Sequence, residues 1–164
     1  MSTALSRADS GDRALSMTQL FALAYLSEAT RDLRPEELDA LLLDARVFNA
    51  SEQVTGALLY SGASFFQLLE GSEDAVRRTF ARLSAARTHR NIRILCEGPV
   101  AVRLFGSWHM GFVQAPRTAI QTLSQSAWED AIPYTREDVE KFEGIGLLVH
   151  YWNKWAAEPV AFPP

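Results

Sequence analysis

The amino-acid sequence predicts an α+β fold, one sheet with two helices on one face and a helical cap beyond it. Two observations carry this. Strand-like and helix-like patterns follow one another in the order β-α-β-β-α-β-β between Gln19 and Phe112. After Phe112 the strand patterns stop and two helical stretches take over. With both early helices on one side, that order gives a ferredoxin-like sandwich with one extra strand.

Each element has a local cause. Leu20 to Leu26 is apolar on both faces, as a central buried strand requires. Asp32 to Pro35 breaks it, and Pro35 suits the first position of a helix whose opening turn holds Glu36 and Glu37. Leu38, Leu41, Leu42 and Ala45 then repeat at the spacing of one buried helix face, and the helix is expected to end near Asn49. Val54–Tyr60 and Ser64–Glu70 read as a hairpin turning at Ser61-Gly62. Ser72 can cap a second helix with Val76, Phe80 and Leu83 inward. Ile92, Ile94 and Cys96 alternate as a half-buried strand that Gly98-Pro99 should interrupt, and Val102–Phe112 is expected to form the last strand.

Beyond it, Pro116 and Pro133 bracket a helical stretch around Ile120, Leu123 and Trp128, and a second runs from Arg136 to about Trp155. The second contains Val139, Phe142, Ile145 and Leu148, and is weakened by Gly144 and Gly146. These place a cap, residues 113–158, on the sheet face that the first two helices leave open. Residues 1–18 read as a flexible leader, 19–112 as the sandwich domain and 159–164 as a tail.

Composition narrows the function. The 164 residues suffice for one domain with an extension. A net charge of −4 argues against nucleic acid, whose phosphates attract a basic face. No apolar run reaches the roughly 18 residues of a membrane span, and no secretory signal opens the chain. One cysteine excludes an internal disulfide and fits the cytoplasm; with three dispersed histidines, a zinc site is not expected.

The informative residues are polar groups set in apolar strands. By period two, Tyr25 shares a face with Phe21 and Leu23, and Gln67 with Phe65 and Leu69. A polar tip there needs a hydrogen-bond partner, either each other or a ligand. Singly, each has a plainer role: Tyr25 as core with its hydroxyl at the rim, Asn49 as a helix C-cap, Trp108 and Met110 as core on one strand face with Phe112. His109 points the other way, to the surface, and His89 suits a helix C-terminal end. Gln67 is the exception, because an amide inside Phe-Phe-Gln-Leu-Leu is costly if it only fills space.

Together these residues resemble the BLUF family, the blue-light sensors that use flavin. The resemblance rests on Tyr25-x-Ser27, Ala45-Arg46-x-x-Asn49, Val54-Thr55-Gly56-x-Leu58-x-Tyr60, Phe66-Gln67-x-Leu69-Glu70-Gly71, His89 and Phe105-x-x-Trp108-x-Met110. It implies a bound flavin, FAD or alternatively FMN or riboflavin, and a photocycle rather than turnover. Tyr25 would give the excited flavin an electron and then a proton and recover both. Gln67 would be left with its amide rotated or tautomerised, and the flavin absorption shifted to the red. Asn49 matches the flavin anchor, Arg46 and His89 the flavin surround, and Trp108 and Met110 a transmission pair of which one is inward. Thr88 stands where the family often has arginine, so either Arg87 or Arg90 takes that place near a ribityl or phosphate group or the cofactor tail is solvent-exposed; Leu68 is expected as an aliphatic wall.

The leading expectation is thus a non-enzymatic photoreceptor, with about 50 residues after Phe112, that signals in trans to an unidentified protein effector or through its own homo-oligomer. The alternatives are a flavin-free scaffold of the same fold and a small hydrolase such as an acylphosphatase. The second is disfavoured by an acidic, Gly-free loop, Glu28 to Asp32, where an anion cradle would be needed.

Overall fold

A computed structural model describes residues 19–129, 131–132 and 143–157. Five strands, β1 (Leu20–Ala29), β2 (Thr55–Tyr60), β3 (Ser64–Ser72), β4 (His89–Val100) and β5 (Gly111–Gln114), form one sheet in the order β4-β1-β3-β2-β5. Helices α1 (Pro35–Glu52) and α2 (Glu73–Ser84) follow β1 and β3, and α3 (Arg117–Gln125) and α4 (Glu143–Trp155) follow β5. All neighbouring strands are antiparallel except β2 and β5, which are parallel. This is the ferredoxin-like arrangement with a fifth strand added beside β2.

The sheet has two cores because its central strands are apolar on both faces. Phe21, Leu23, Tyr25, Leu58, Phe65 and Leu69 face α1 and α2 with Leu42 and Val76. Ala22, Ala24, Leu59, Phe66 and Leu68 face the cap with Leu123, Ile145, Leu148 and Trp152. Leu68 therefore packs under the cap and is not a wall on the α1/α2 side. Each fully buried side chain of this size contributes about 1.5–3 kcal/mol, so the cap is an integral second layer. Ser72 caps α2 as expected, its Oγ accepting from the Ala75 amide at 3.3 Å.

Four expectations change in detail. Helix α1 passes Asn49 and ends at Glu52, and its C-cap is Gln53 in the left-handed region at φ 55°. The hairpin turn has three residues, Ser61 to Ala63, with the Ser61 amide on the Ser64 carbonyl at 3.1 Å. Strand β4 runs through Gly98-Pro99, because it is an edge strand and proline's missing donor is tolerated there. Its alternation also fails: the register with β1 shifts between Ala24 and Tyr25, so Leu95 and Cys96 both pack on the cap core while Ile94 lies exposed.

The fourth change matters most for function. The last strand covers only Gly111–Gln114, and residues 101–110 form an irregular segment. Its backbone groups are held largely by groups outside any strand ladder. The Glu70 carboxylate accepts from the Leu104 and Phe105 amides at 2.6 and 3.0 Å, and the Trp108 carbonyl accepts from the Gly56 amide at 3.1 Å. Without strand period, Trp108 packs on the cap core while Met110 and Phe112 face α1 and α2, so the pair does not share a face. In the cap, Ile120 and Leu123 are buried on α3, and Trp128 lies past its end with Nε1 donating to the Leu123 carbonyl at 2.8 Å. Helix α4 buries Ile145 and Leu148. The expected leader, the tail and the stretch holding Val139 and Phe142 lie outside the described residues.

Candidate functional site

Strand register brings the two polar strand residues together. Tyr25 on β1 is the direct cross-strand partner of Gln67 on β3, and both project toward α1 and α2. They are 2% and 3% exposed. The Tyr25 hydroxyl donates to Gln67 Oε1. The other end of the same amide, Nε2, donates to Met110 Sδ at 3.3 Å. Gln67 is thus engaged at both ends, with oxygen toward the phenol and nitrogen toward the thioether. Burial pushes the Tyr25 phenol well above its ordinary value, so it stays protonated.

These three residues line a cavity of about 250 Å³ between the two helices and the sheet. Leu41, Ala45, Leu58, Phe65 and Leu83 supply apolar walls. Two depressions of about 380 and 440 Å³ are larger but contain neither Tyr25 nor Gln67. An apolar slot with a few convergent polar groups is what a flat aromatic ligand with one polar edge requires. Phe80 closes on Tyr25 edge-on, with ring centroids 5.4 Å apart.

His89 also lines the cavity, at the start of β4. Its Nε2 lies 2.5 Å from the Leu83 carbonyl and its Nδ1 2.8 Å from Ser27 Oγ. A carbonyl only accepts, so Nε2 donates to Leu83, while the serine hydroxyl can pair with Nδ1 as donor or as acceptor. The ring is thereby fixed against Tyr25 and Phe65, with centroids 6.1 and 5.9 Å away.

Asn49 and Arg46 stand behind this layer rather than among the cavity-lining residues. Asn49 Nδ2 donates to the His109 carbonyl at 2.7 Å, and Arg46 Nε donates to the Met110 carbonyl at 2.9 Å. One face of α1 therefore grips two successive carbonyls beside the thioether. Thr88 lines the cavity, but Arg87 and Arg90 do not; Arg90 pairs with Glu28 at 3.6 Å. The cation on the cavity wall is Arg82 of α2, ion-paired across the mouth with Asp44 of α1. Both partners are substantially exposed, so this pair is worth less than about 1 kcal/mol and opens readily. Trp108 is turned away, 5.5 Å from the Trp152 ring.

Glu70, part of the Phe-Gln-x-Leu-Glu-Gly motif but without an expected role, supports the site. It is wholly buried on β3, three residues from Gln67, and holds Leu104 and Phe105. Arg103 completes the clamp, donating to Thr55 Oγ1 at 2.8 Å and to the Glu70 and Gln53 carbonyls at 3.1 and 2.9 Å. The desolvation argument that singles out Gln67 applies equally to a carboxylate between Leu69 and Gly71. Arg103, in an irregular segment, gives no such signal.

Comparison with known proteins decides the family. The model for BLUF, "Sensors of blue-light using FAD", matches residues 20–111. The chain belongs to the BLUF family. Among relatives, photoactivated adenylate cyclase subunits beta and alpha of Euglena gracilis are 36% identical over 95 residues and 39% over 98. Each alignment covers 57% of this chain but only 11% and 9% of those proteins, so the chain spans about a tenth of their length. Among solved structures, the dark state of BlrB, a BLUF protein, is 31% identical with a TM-score of 0.57, covering 66% of this chain and 81% of that one. BlsA in its photo-activated state is 25% identical with a TM-score of 0.59, and covers 87% and 99%. The cavity, lined by Tyr25, Gln67 and Met110, lies inside the matched BLUF segment. Among the described residues, no helix of this BLUF protein is long and apolar enough to cross a membrane.

Proposed function

We propose that the protein is a blue-light photoreceptor in which Tyr25 and Gln67 form the photoactive pair, acting in the cytoplasm on a partner protein in trans as a homo-oligomer. The observation that carries this is the continuous Tyr25–Gln67–Met110 contact on the wall of an apolar slot. The residues present fit a flavin: apolar walls take the ring, and the amide and phenol meet its polar edge. When bound, the flavin supplies absorption of blue light and an acceptor for one electron.

The chain's own part is proton and hydrogen-bond work. Tyr25 is held as a neutral phenol, so if it lost an electron it would pass its proton along the bond to Gln67 Oε1, and it would take both back when the electron returned. The amide has a donor end and an acceptor end, and turning it over exchanges them. In the dark arrangement Nε2 points at a sulfur that can accept. In the reversed arrangement Oε1 would face that sulfur, which has no hydrogen to donate. Met110 thus biases Gln67 toward the dark state, which accounts for spontaneous return.

Asn49 uses one N–H on the His109 carbonyl; to act as the flavin anchor it would have to turn the rest of its amide past the Met110 layer toward the cavity. Arg46 holds Met110 in place, and His89 forms a fixed wall beside Tyr25. Light-driven changes leave the site through Met110 and Trp108 toward the cap. Absorption spectra before and after blue light test the reading: a yellow protein with a reversible red shift is expected. Tyr25→Phe and Gln67→Leu should keep the colour and lose the shift; full wild-type shift in either variant would overturn the mechanism.

A further inference from the structure

The segment that touches Gln67 on one side touches Trp152 of the cap on the other. Met110 presents its sulfur to Gln67 Nε2, and the next residue is Gly111. A Cβ on Gly111 would lie 2.4 Å from Cη2 and 3.0 Å from Cζ2 of Trp152, so the indole of α4 rests directly on the Gly111 backbone. Only glycine permits that approach. The same indole meets Phe105 edge-on at 5.1 Å and Trp108 at 5.5 Å between centroids, and is 2% exposed. Trp152 therefore contacts three positions within residues 105–111.

Other cap residues stand on stiffer ground. Trp128 lies over Phe66, the neighbour of Gln67, with centroids 5.5 Å apart. Strand β3 under it is paired along both edges, by β1 and β2. Gly111 begins a four-residue edge strand paired only with β2, and the residues before it are held by single hydrogen bonds from Gly56, Asn49 and Arg46. Phe66 and Leu68, the neighbours of Gln67 that also meet the cap core, lie on the central strand β3, so the Met110–Gly111 route is the one that can move.

We infer that Trp152 is the residue through which the cap reads the state of Gln67, and that α4 stays docked only while the Met110–Gly111 backbone keeps its dark position. This rests on the light-sensing reading above. Close-packed interiors do not compress, so a few tenths of an ångström of shift at Gly111 becomes a clash with the indole rather than a softer contact. The indole then has two arrangements, seated and unseated, and its helix follows.

Hydrogen exchange of residues 143–155 in dark and light, measured on the full chain with its flavin, tests this beside the absorption spectrum. In the wild type, exchange there is expected to quicken on illumination. Gly111→Ala should keep the red shift but exchange in the dark at the illuminated wild-type rate. Trp152→Phe, which fills the core but no longer reaches Gly111, should keep the red shift and lose the light–dark difference. Slow dark exchange in a folded Gly111→Ala, or a full light–dark difference in Trp152→Phe, overturns the inference; if Gly111→Ala does not fold, Trp152→Phe decides. A wild-type red shift without any exchange difference overturns the coupling alone. Absence of the red shift overturns the light-sensing reading and the coupling with it.

Discussion

Replacing Met110 by leucine tests the claim that a thioether sets the resting state of the switch. The two side chains have similar volume, so the packing penalty is small. What is lost is the acceptor for Gln67 Nε2, now met at 3.3 Å in a site where both residues are buried. A net hydrogen bond is worth about 0.5–1.5 kcal/mol, and sulfur is a weak acceptor, which favours the lower end. This bond stabilises the dark amide and not the reversed one, so deleting it narrows the gap between the two states by that amount. To the extent that the bond has formed at the barrier of the return, dark recovery should slow by about two- to tenfold. The assay is the decay of the red-shifted absorption in darkness after a blue pulse, at fixed temperature and flavin loading. Recovery at or above the wild-type rate, with an unchanged red shift, would refute the idea that sulfur biases the amide.

Three further outcomes are expected. Because burial raises the Tyr25 phenol above the ordinary 10.0, photoconversion amplitude should stay level as pH passes that value; the linked stability is fully present below 10.0 and is lost as pH climbs toward the raised value, as equilibrium unfolding against pH would record. Gly144→Ala would put a Cβ 2.6 Å from Trp128 Cδ2 and 2.9 Å from the Ala127 carbonyl, costing about 1–3 kcal/mol by overpacking, read as a lower denaturant midpoint. Glu70→Gln leaves one carbonyl for two amides at 2.6 and 3.0 Å, so one buried N–H loses its acceptor and stability should fall by about 1–3 kcal/mol in the same assay.

Local pattern determined the parts of this molecule that depend on local physics. The double-sided apolar run of β1, the Leu42–Ala45 stripe of α1, the amphipathic face of α2 and the Ser72 cap follow from residue spacing alone, and they fix the sandwich. Period two also put Tyr25 and Gln67 on inward faces, and the cost of burying an amide marked Gln67 as functional before any partner was visible. The family resemblance was carried by the same residues.

Tertiary structure alone decided what joins them. Register makes Tyr25 and Gln67 opposite partners, which no single-strand pattern specifies. Val102–Phe112 has the pattern of a strand, but up to Met110 the Glu70, Asn49 and Arg46 side chains and the Gly56 amide satisfy much of the backbone, and with the ladder absent the alternation that should keep Trp108 beside Met110 is absent too. That is why Met110 reaches the switch while Trp108 reaches the cap. Gly144, which in sequence weakens its helix, and Gly111, which carries no signal there, each have an indole of the cap lying directly on the backbone. Side-chain chemistry is written in the residues; which groups meet is set by contacts between segments far apart in the chain.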